Sequence, residues 1–156
     1  MADGLHALRV IVGPEAKVLV VDDEPAIRAL VTKIVERAGF PVDSARDGAE
    51  AMEKITAGSY DVVVLDLMMP NVDGYALIDF LRERSTKPPA IIVISAGDSV
   101  VLRQLDGSMV HSIVRKPFDI DVLGDLITAA ASTMATEREA QEDGHVLPFR
   151  REPGAC

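Results

Sequence analysis

Short apolar runs alternate along this chain with stretches in which apolar residues recur every three or four positions. The second spacing places apolar side chains on one face of a helix, whereas a continuous apolar run of about four to eight residues is typical of a buried strand. The five runs lie at residues 17–21, 40–45, 61–65, 90–94 and 111–115. Because strands alternate with helices, the sequence predicts an α/β fold: a doubly wound parallel sheet of five strands, with five helices on its two faces.

Proline, glycine and aspartate mark where the predicted helices begin and end. Pro25 favours the start of the first helix and Gly39 its end, while Asp47 can cap the second helix, which Gly58 ends. Pro41 cannot donate a hydrogen bond to a neighbouring strand, which places the second strand at an edge of the sheet. The predicted helices lie at about 25–38, 47–57, 75–81 and 98–106, with the last one starting near residue 119.

The composition narrows the class of protein. A length of 156 residues suits one domain, and no apolar run approaches the ~18 residues that a membrane-spanning helix needs. The N-terminus lacks the basic segment of a signal peptide, and the one cysteine, Cys156, cannot form an intramolecular disulfide. We therefore predict a soluble cytoplasmic protein. Its net charge of −9 would repel nucleic acid, so we predict neither a nucleic-acid partner nor a membrane partner.

Chemically active side chains follow four of the predicted strands. Asp22 and Asp23 come directly after the first strand, Asp66 ends the third, Ser95 ends the fourth and Lys116 ends the fifth. In a doubly wound sheet, ligands bind beyond the carboxyl ends of the strands. The sequence therefore predicts that these five residues meet at one edge, here called the carboxyl rim.

Three carboxylates at one rim repel one another, which raises the pKa of one or more of them unless a cation is present. Mg²⁺ is a suitable cation because it prefers oxygen ligands and commonly bridges carboxylates to phosphate. Asp66, in a central strand, is the candidate nucleophile, since a carboxylate can attack phosphorus to form an aspartyl phosphate. Lys116 would neutralise one phosphoryl oxygen, and Ser95 would donate a hydrogen bond to another.

Four motifs carry a family resemblance. VLVVDDEP, VVVLDLMMPNVDG, VISA and VRKPF, in this order and spacing, resemble the receiver domain of response regulators. The resemblance covers about residues 17–133, preceded by an N-terminal extension over 1–16 and followed by a C-terminal helix extension and polar, partly disordered tail over 134–156. It implies a flavodoxin-like fold with strand order 2-1-3-4-5, which agrees with an edge position for Pro41.

The resemblance also implies roles for individual residues. Asp66 would accept a phosphoryl group from a histidine kinase or a histidine phosphotransfer protein. Asp23 and Asp66 would bind Mg²⁺ through their side chains, Asp22 directly or through water, and Met68 through its backbone carbonyl. Lys116 would precede a cis peptide bond, and Ser95 would be the hydroxyl that moves toward the phosphoryl group.

Two features depart from the family pattern. The family usually has Tyr or Phe three residues before the lysine, where this chain has Ile113, and the segment from Ser95 to Lys116 is about one residue short. This chain therefore lacks the aromatic ring that, in the family, swings inward behind the hydroxyl that Ser95 supplies here. No recognisable output domain follows, so the sequence predicts a stand-alone receiver with an unknown downstream protein partner; the last helix could also form a homodimer.

The sequence also leaves two other functions open, a hydrolase and a binding module. A metal-dependent aspartyl-phosphate hydrolase usually has a second Asp two residues after its nucleophile, a position that Met68 occupies here. A binding module that is never phosphorylated would not need the carboxylates, lysine and hydroxyl together. Within the receiver interpretation, the sequence does not choose between a phosphate shuttle and an adaptor whose contacts depend on phosphorylation.

Overall fold

We describe the fold from a computed structural model, which describes residues 16–67, 74–84, 88–96 and 110–142, with only the backbone for 138–142. The five predicted strands are present. The strands are β1 (Val18–Val21), β2 (Val42–Ala45), β3 (Val62–Asp66), β4 (Ala90–Ser95) and β5 (Val110–Arg115). The helices in the described residues are α1 (Pro25–Arg37), α2 (Gly48–Ala57), α3 (Gly74–Arg84) and α4 (Ile120–Glu142). In these residues, helices follow β1, β2, β3 and β5, and the helix predicted at 98–106 lies outside them.

The strands form one parallel sheet in the order β2-β1-β3-β4-β5. This confirms the predicted α/β class and the strand order that the family resemblance implies. The second strand lies at an edge, as Pro41 indicated, and Pro41 still contributes its carbonyl oxygen, which accepts a hydrogen bond from the Val18 N–H at 3.0 Å. The three inner strands, β1, β3 and β4, are paired on both sides.

The apolar strands are buried on both faces of the sheet, which explains why their sequences do not alternate with polar residues. Side chains of Val18, Val20 and Val64 pack on one face with residues of α1 and α4. Their neighbours Leu19 and Leu65 point to the other face, where α2 and α3 cover them. The sheet is thus the middle of three layers, and its two ends are left for polar residues.

Helix α1 has the ends that its sequence predicts. Pro25 stands in its first turn, and the buried residues Val31, Ile34 and Val35 recur at helical spacing. Gly39 follows the helix with φ of 94°, a left-handed conformation that glycine adopts readily. The helix therefore ends where the chain must turn back into β2.

Helix α4 continues past residue 133, where the sequence placed the end of the domain, as far as Glu142. The domain boundaries themselves stay a prediction. The 23 residues of helix α4 span about 35 Å at 1.5 Å per residue. Among the described residues, no helix combines the length and the hydrophobicity that crossing a membrane would require.

A polar cluster ties the edge strand to the amino ends of its neighbours. The Tyr60 hydroxyl donates a hydrogen bond to Asp43 Oδ2 at 2.7 Å, and Lys17 Nζ lies 3.1 Å from the same oxygen. Lys17 also lies over the Tyr60 ring, 5.2 Å from its centroid. The hydrogen bond from the Tyr60 hydroxyl lowers the pKa of Asp43 most; burial opposes it, and Lys17 lowers the pKa further. Burial, together with the same hydrogen bond, raises the pKa of Tyr60.

This cluster makes stability depend on pH at the acidic end. The folded-state pKa of Asp43 lies below its ordinary value of 3.8, so its contribution is complete above that value and is lost as pH falls through the lower, folded-state value. We expect Tyr60→Phe to cost about 1 kcal/mol or less near pH 6, because Asp43 is partly exposed. In urea unfolding, the difference between wild type and Tyr60→Phe should shrink as the pH falls below 3.8. A difference that stays constant across this range would contradict the assignment.

Gly124, inside α4, offers a second test of the packing. A Cβ at this position would meet Ile34 Cγ2 of α1 at 3.6 Å, which is an ordinary van der Waals contact. Glycine inside a helix is less favourable than alanine by about 0.5–1 kcal/mol. We therefore expect Gly124→Ala to raise the free energy of unfolding by about that amount, measured by urea denaturation. A loss of stability would show that α1 and α4 lie closer together than described here.

Candidate functional site at the carboxyl ends of the strands

All the predicted site residues in the described part of the chain lie at one rim. Asp22 follows β1, Asp66 is the last residue of β3, Ser95 is the last residue of β4 and Lys116 follows β5. The Lys116 backbone N–H donates a hydrogen bond to the Ser95 carbonyl at 3.1 Å, which joins the two strand ends. The rim forms because the strands are parallel and in register, so residues far apart in sequence end at the same level.

Asp22, Asp23 and Asp66 form a compact group of carboxylates. Each offers an oxygen, and these oxygens all lie within 4.8 Å of one another. Asp22 and Asp66 are buried, whereas Asp23 is half-buried. Two buried carboxylates and a third beside them are costly without positive charge. An oxygen-only donor set of this size fits a hard divalent cation such as Mg²⁺.

Lys116 supplies positive charge to this group. Its Nζ lies 3.1 Å from Asp66 Oδ2, 3.4 Å from Asp22 Oδ2 and 3.2 Å from Glu24 Oε1. Although burial favours the neutral amine, the hydrogen bond to Asp66 and the charge of Asp22 outweigh it, so the pKa of Lys116 lies above its usual value. The side chain is therefore a firmly protonated ammonium that faces three carboxylates.

The pKa of Asp22 reflects the unfavourable burial of a carboxylate at this rim. Burial raises its pKa above the ordinary value, and the charge of Asp66 adds to this effect. The Glu24 backbone N–H, which donates to Asp22 Oδ1 at 2.9 Å, and Lys116 act in the opposite direction without cancelling it. A cation bound beside Asp22 would favour its charged form and would therefore lower its pKa.

The other predicted features of the site concern Ser95, Met68, the bond before Pro117 and Ile113. Ser95 is buried, with an exposed fraction of 1%, at the end of β4. Met68 lies outside the described residues. The Lys116–Pro117 peptide bond is cis, as the family resemblance implied. Ile113, at the position of the usual aromatic residue, is 45% exposed on the edge strand β5.

Sequence reasoning missed two residues at this rim, Glu24 and Arg28. Glu24 contacts Lys116, and Arg28 Nη1 donates to the Asp22 carbonyl at 2.8 Å. Arg28 thereby holds the turn between β1 and α1 that presents the two aspartates. A signal existed in both cases, since Glu24 directly follows the Asp pair and Arg28 stands about one helical turn later.

Comparison with known proteins identifies the family. Residues 18–128 match the response regulator receiver domain. The chain belongs to this family. Receiver domains are the modules of two-component response regulators that accept phosphate on an aspartate, and they bind Mg²⁺ at an acidic cluster. The three clustered carboxylates of this receiver domain are consistent with that family property.

Its relatives are longer regulatory proteins. It is 36% identical over 109 residues to the transcriptional regulatory protein TcrA of Mycobacterium tuberculosis, an alignment covering 69% of this chain and 42% of TcrA. It is 43% identical over 82 residues to the transcriptional regulatory protein ResD of Bacillus subtilis, covering 53% of this chain and 33% of ResD. The receiver domain thus spans less than half the length of these relatives, and the stand-alone interpretation stays a prediction.

Solved structures agree with the fold. The chemotaxis protein CheY4 of Vibrio cholerae superimposes with a TM-score of 0.68 at 30% identity, covering 74% of this chain and 98% of CheY4. The response regulator TrrA of Thermotoga maritima, solved in complex with Mg²⁺ and beryllofluoride, has a TM-score of 0.66 at 33% identity, with the same coverage of both chains. These likenesses agree with the α/β fold and the strand order described above.

Gly74 connects the site to α3. Its N–H donates to the Leu67 carbonyl at 3.1 Å, and a Cβ at this position would lie 2.6 Å from Leu67 Cα and 3.1 Å from the Asp66 carbonyl oxygen. The third neighbour, Leu67 Cδ2 at 2.8 Å, is a side-chain atom, but the other two belong to the backbone, so a rotamer change alone cannot make room for a Cβ. The start of α3 is thus packed directly against the residue that follows Asp66.

We expect Gly74→Ala to destabilise the receiver domain by about 1–3 kcal/mol, because the backbone next to Asp66 must shift. Urea unfolding measures the loss, and the Mg²⁺ affinity of the folded protein measures the displacement of the site. Gly58→Ala is a suitable control, because a Cβ there would come no closer than 3.7 Å to the Lys54 carbonyl oxygen. Equal effects of the two substitutions would contradict the close packing at Gly74.

Proposed function

We propose that this receiver domain accepts a phosphoryl group on Asp66 from a histidine kinase or a histidine phosphotransfer protein, with Mg²⁺ as cofactor. The observation that carries the proposal is the position of Lys116 Nζ, 3.1 Å from Asp66 Oδ2, beside the clustered carboxylates. Asp66 is 4% exposed and ends a strand that is buried along its whole length, so within the described residues its carboxylate lies at the rim.

The chemistry requires a carboxylate oxygen, a positive charge and a hydrogen-bond donor. An Asp66 oxygen forms the bond to phosphorus while the bond from phosphorus to the donor imidazole nitrogen breaks, and the imidazole leaves with the electron pair. Lys116 offsets the charge on a phosphoryl oxygen, and the Ser95 hydroxyl donates to another. Neither residue needs to change its protonation state for this transfer.

The proposed metal ligands are the side chains of Asp22, Asp23 and Asp66 together with the backbone carbonyl of Met68. When bound there, Mg²⁺ would neutralise part of the negative charge of the transferred phosphoryl group. Without the cation, the three clustered carboxylates have Lys116 to offset their charge, with the Arg28 guanidinium close by. We therefore expect phosphorylation to require Mg²⁺.

The proposed output is a contact with a downstream protein or onward phosphotransfer. Because the two relatives described above are named transcriptional regulatory proteins, the predicted absence of a nucleic-acid partner stays a prediction. A pull-down that compares phosphorylated protein with Asp66→Asn distinguishes the two outputs. A partner that prefers the phosphorylated form indicates gating, and rapid loss of label to a second histidine protein indicates relay.

We expect acetyl phosphate labelled in its phosphoryl group to transfer no more than one phosphoryl group per chain, and only when Mg²⁺ is present. Asp66→Asn should abolish labelling, since an amide oxygen is a poor nucleophile at phosphorus, whereas Asp125→Asn on the exposed face of α4 should label normally. Labelling is followed by acid-stable and base-labile radioactivity on the protein.

Three results would contradict the proposal. Undiminished labelling of Asp66→Asn would place the phosphoryl group elsewhere. Steady release of many phosphates per chain would favour the aspartyl-phosphate hydrolase. No labelling of wild type with either acetyl phosphate or a phosphorylated histidine protein would favour the binding module.

A further inference from the structure

Lys116 is shared among three carboxylates. Its ammonium group has three hydrogens, and Nζ lies within 3.4 Å of oxygens of Asp66, Glu24 and Asp22. If Asp66 is phosphorylated, as proposed above, a phosphoryl oxygen needs one of these hydrogens. Phosphorylation removes the charge of the Asp66 carboxylate, so a phosphoryl oxygen takes over its contact with the ammonium. The other phosphoryl oxygens then compete with Glu24 and Asp22, which stay charged, for the same group.

The three partners differ in how easily they are released. The Asp22 and Asp66 side chains are 3% and 5% exposed, whereas the Glu24 side chain is 60% exposed. Removing the lysine from Asp22 takes a charged partner away from a buried carboxylate, which is unfavourable. Removing it from Glu24 returns a carboxylate to water at little cost. Of the two carboxylates that keep their charge after phosphorylation, Glu24 is therefore the partner more easily exchanged.

The Glu24 side chain has no other visible task in the described part of the chain. Glu24 is the N-cap residue of α1, yet its side chain makes no capping hydrogen bond. Its backbone does the structural work, because its N–H donates to Asp22 Oδ1 at 2.9 Å and its carbonyl accepts from the Arg28 N–H at 2.9 Å. A change confined to the carboxylate leaves these backbone contacts in place.

We propose that Glu24 is a positioning residue that competes with the phosphoryl group for Lys116 and releases it when Asp66 is phosphorylated. The inference rests on the proposed function. In the unphosphorylated protein, the contact between Glu24 and Lys116 joins the turn after β1 to the end of β5 across the rim. Each phosphorylation event exchanges this internal anion for the phosphoryl oxygens, so the Glu24 carboxylate lowers the affinity of the site for them.

The test uses beryllofluoride, a phosphoryl mimic, titrated into the full chain with saturating Mg²⁺ and followed by calorimetry. We expect Glu24→Gln to bind beryllofluoride about two- to fivefold more tightly than wild type, the range that the loss of one partly exposed ion pair allows. The amide keeps the size of the side chain but is a weaker partner for an ammonium. Equal or weaker binding would overturn the proposal.

The matched control is Glu36→Gln, which removes the same charge from an exposed position on the same helix. It lies 12 residues further along α1, about 18 Å from Glu24, so its effect on a rim anion is largely screened. We expect wild-type affinity for beryllofluoride. An equal gain in both variants would show that net charge, and not contact with Lys116, is responsible, and would overturn the proposal.

A double-substitution cycle provides a readout that a merely structural role would not change. In a Lys116→Gln background, Glu24→Gln should bring no gain in beryllofluoride affinity, because the amine that the two anions share is gone. Equal affinities show that the gain requires the lysine. A gain that persists without Lys116 overturns the proposal.

The two proposals can fail separately. If labelling of Asp66→Asn is abolished while Glu24→Gln behaves like wild type, the phosphoacceptor assignment holds and the role of Glu24 is wrong. If Asp66→Asn is still labelled and the wild type does not bind beryllofluoride, the proposed function itself is wrong and the role of Glu24 falls with it.

Discussion

The balance of charge at the carboxyl rim is the constraint on which the rest of this structure depends. Asp22 and Asp66 are buried at strand ends, with Asp23 beside them and the Lys116 ammonium within 3.4 Å of both buried carboxylates. Buried charges persist only when they are paired, and removing one partner is far more costly than the pair is favourable. The raised pKa of Asp22, caused mainly by burial, shows that the pairing leaves negative charge only partly compensated. Receiver domains bind Mg²⁺ at such an acidic cluster, and the residual charge at this rim would favour a cation.

The layered fold determines where the apolar core and the polar site can lie. A sheet covered on both faces by helices leaves its two ends as the places where polar side chains can reach solvent. The carboxyl end holds the aspartates and Lys116, while the amino end holds the cluster of Lys17, Asp43 and Tyr60. The first group combines buried carboxylates with one cation and retains excess charge. The cluster at the amino end is closer to neutral and more exposed, and its contacts with Asp43 hold the edge strand β2 in place.

The fold could be read from the sequence because its signals are local or periodic. Continuous apolar runs predicted the five strands to within one or two residues, and Pro41 placed its strand at an edge. The convergence of Asp22, Asp66 and Lys116 also followed, since parallel strands must end at one rim. Glu24 and Arg28 were missed because an acidic and a basic residue near a helix start are equally compatible with solvated positions. Their importance depends on contacts that no local pattern encodes.

The sequence by itself determined which residues stand at strand ends, and therefore the chemistry available at the rim, because strand periodicity and parallel pairing fix those positions. Tertiary structure alone decided how that chemistry is shared. Lys116 meets Asp66 across 50 residues and Glu24 across 92, and the burial of each carboxylate depends on helices from separate parts of the chain. Electrostatic energies change with distances of about an ångström and with exposure to water, and both quantities arise only when the packed layers come together.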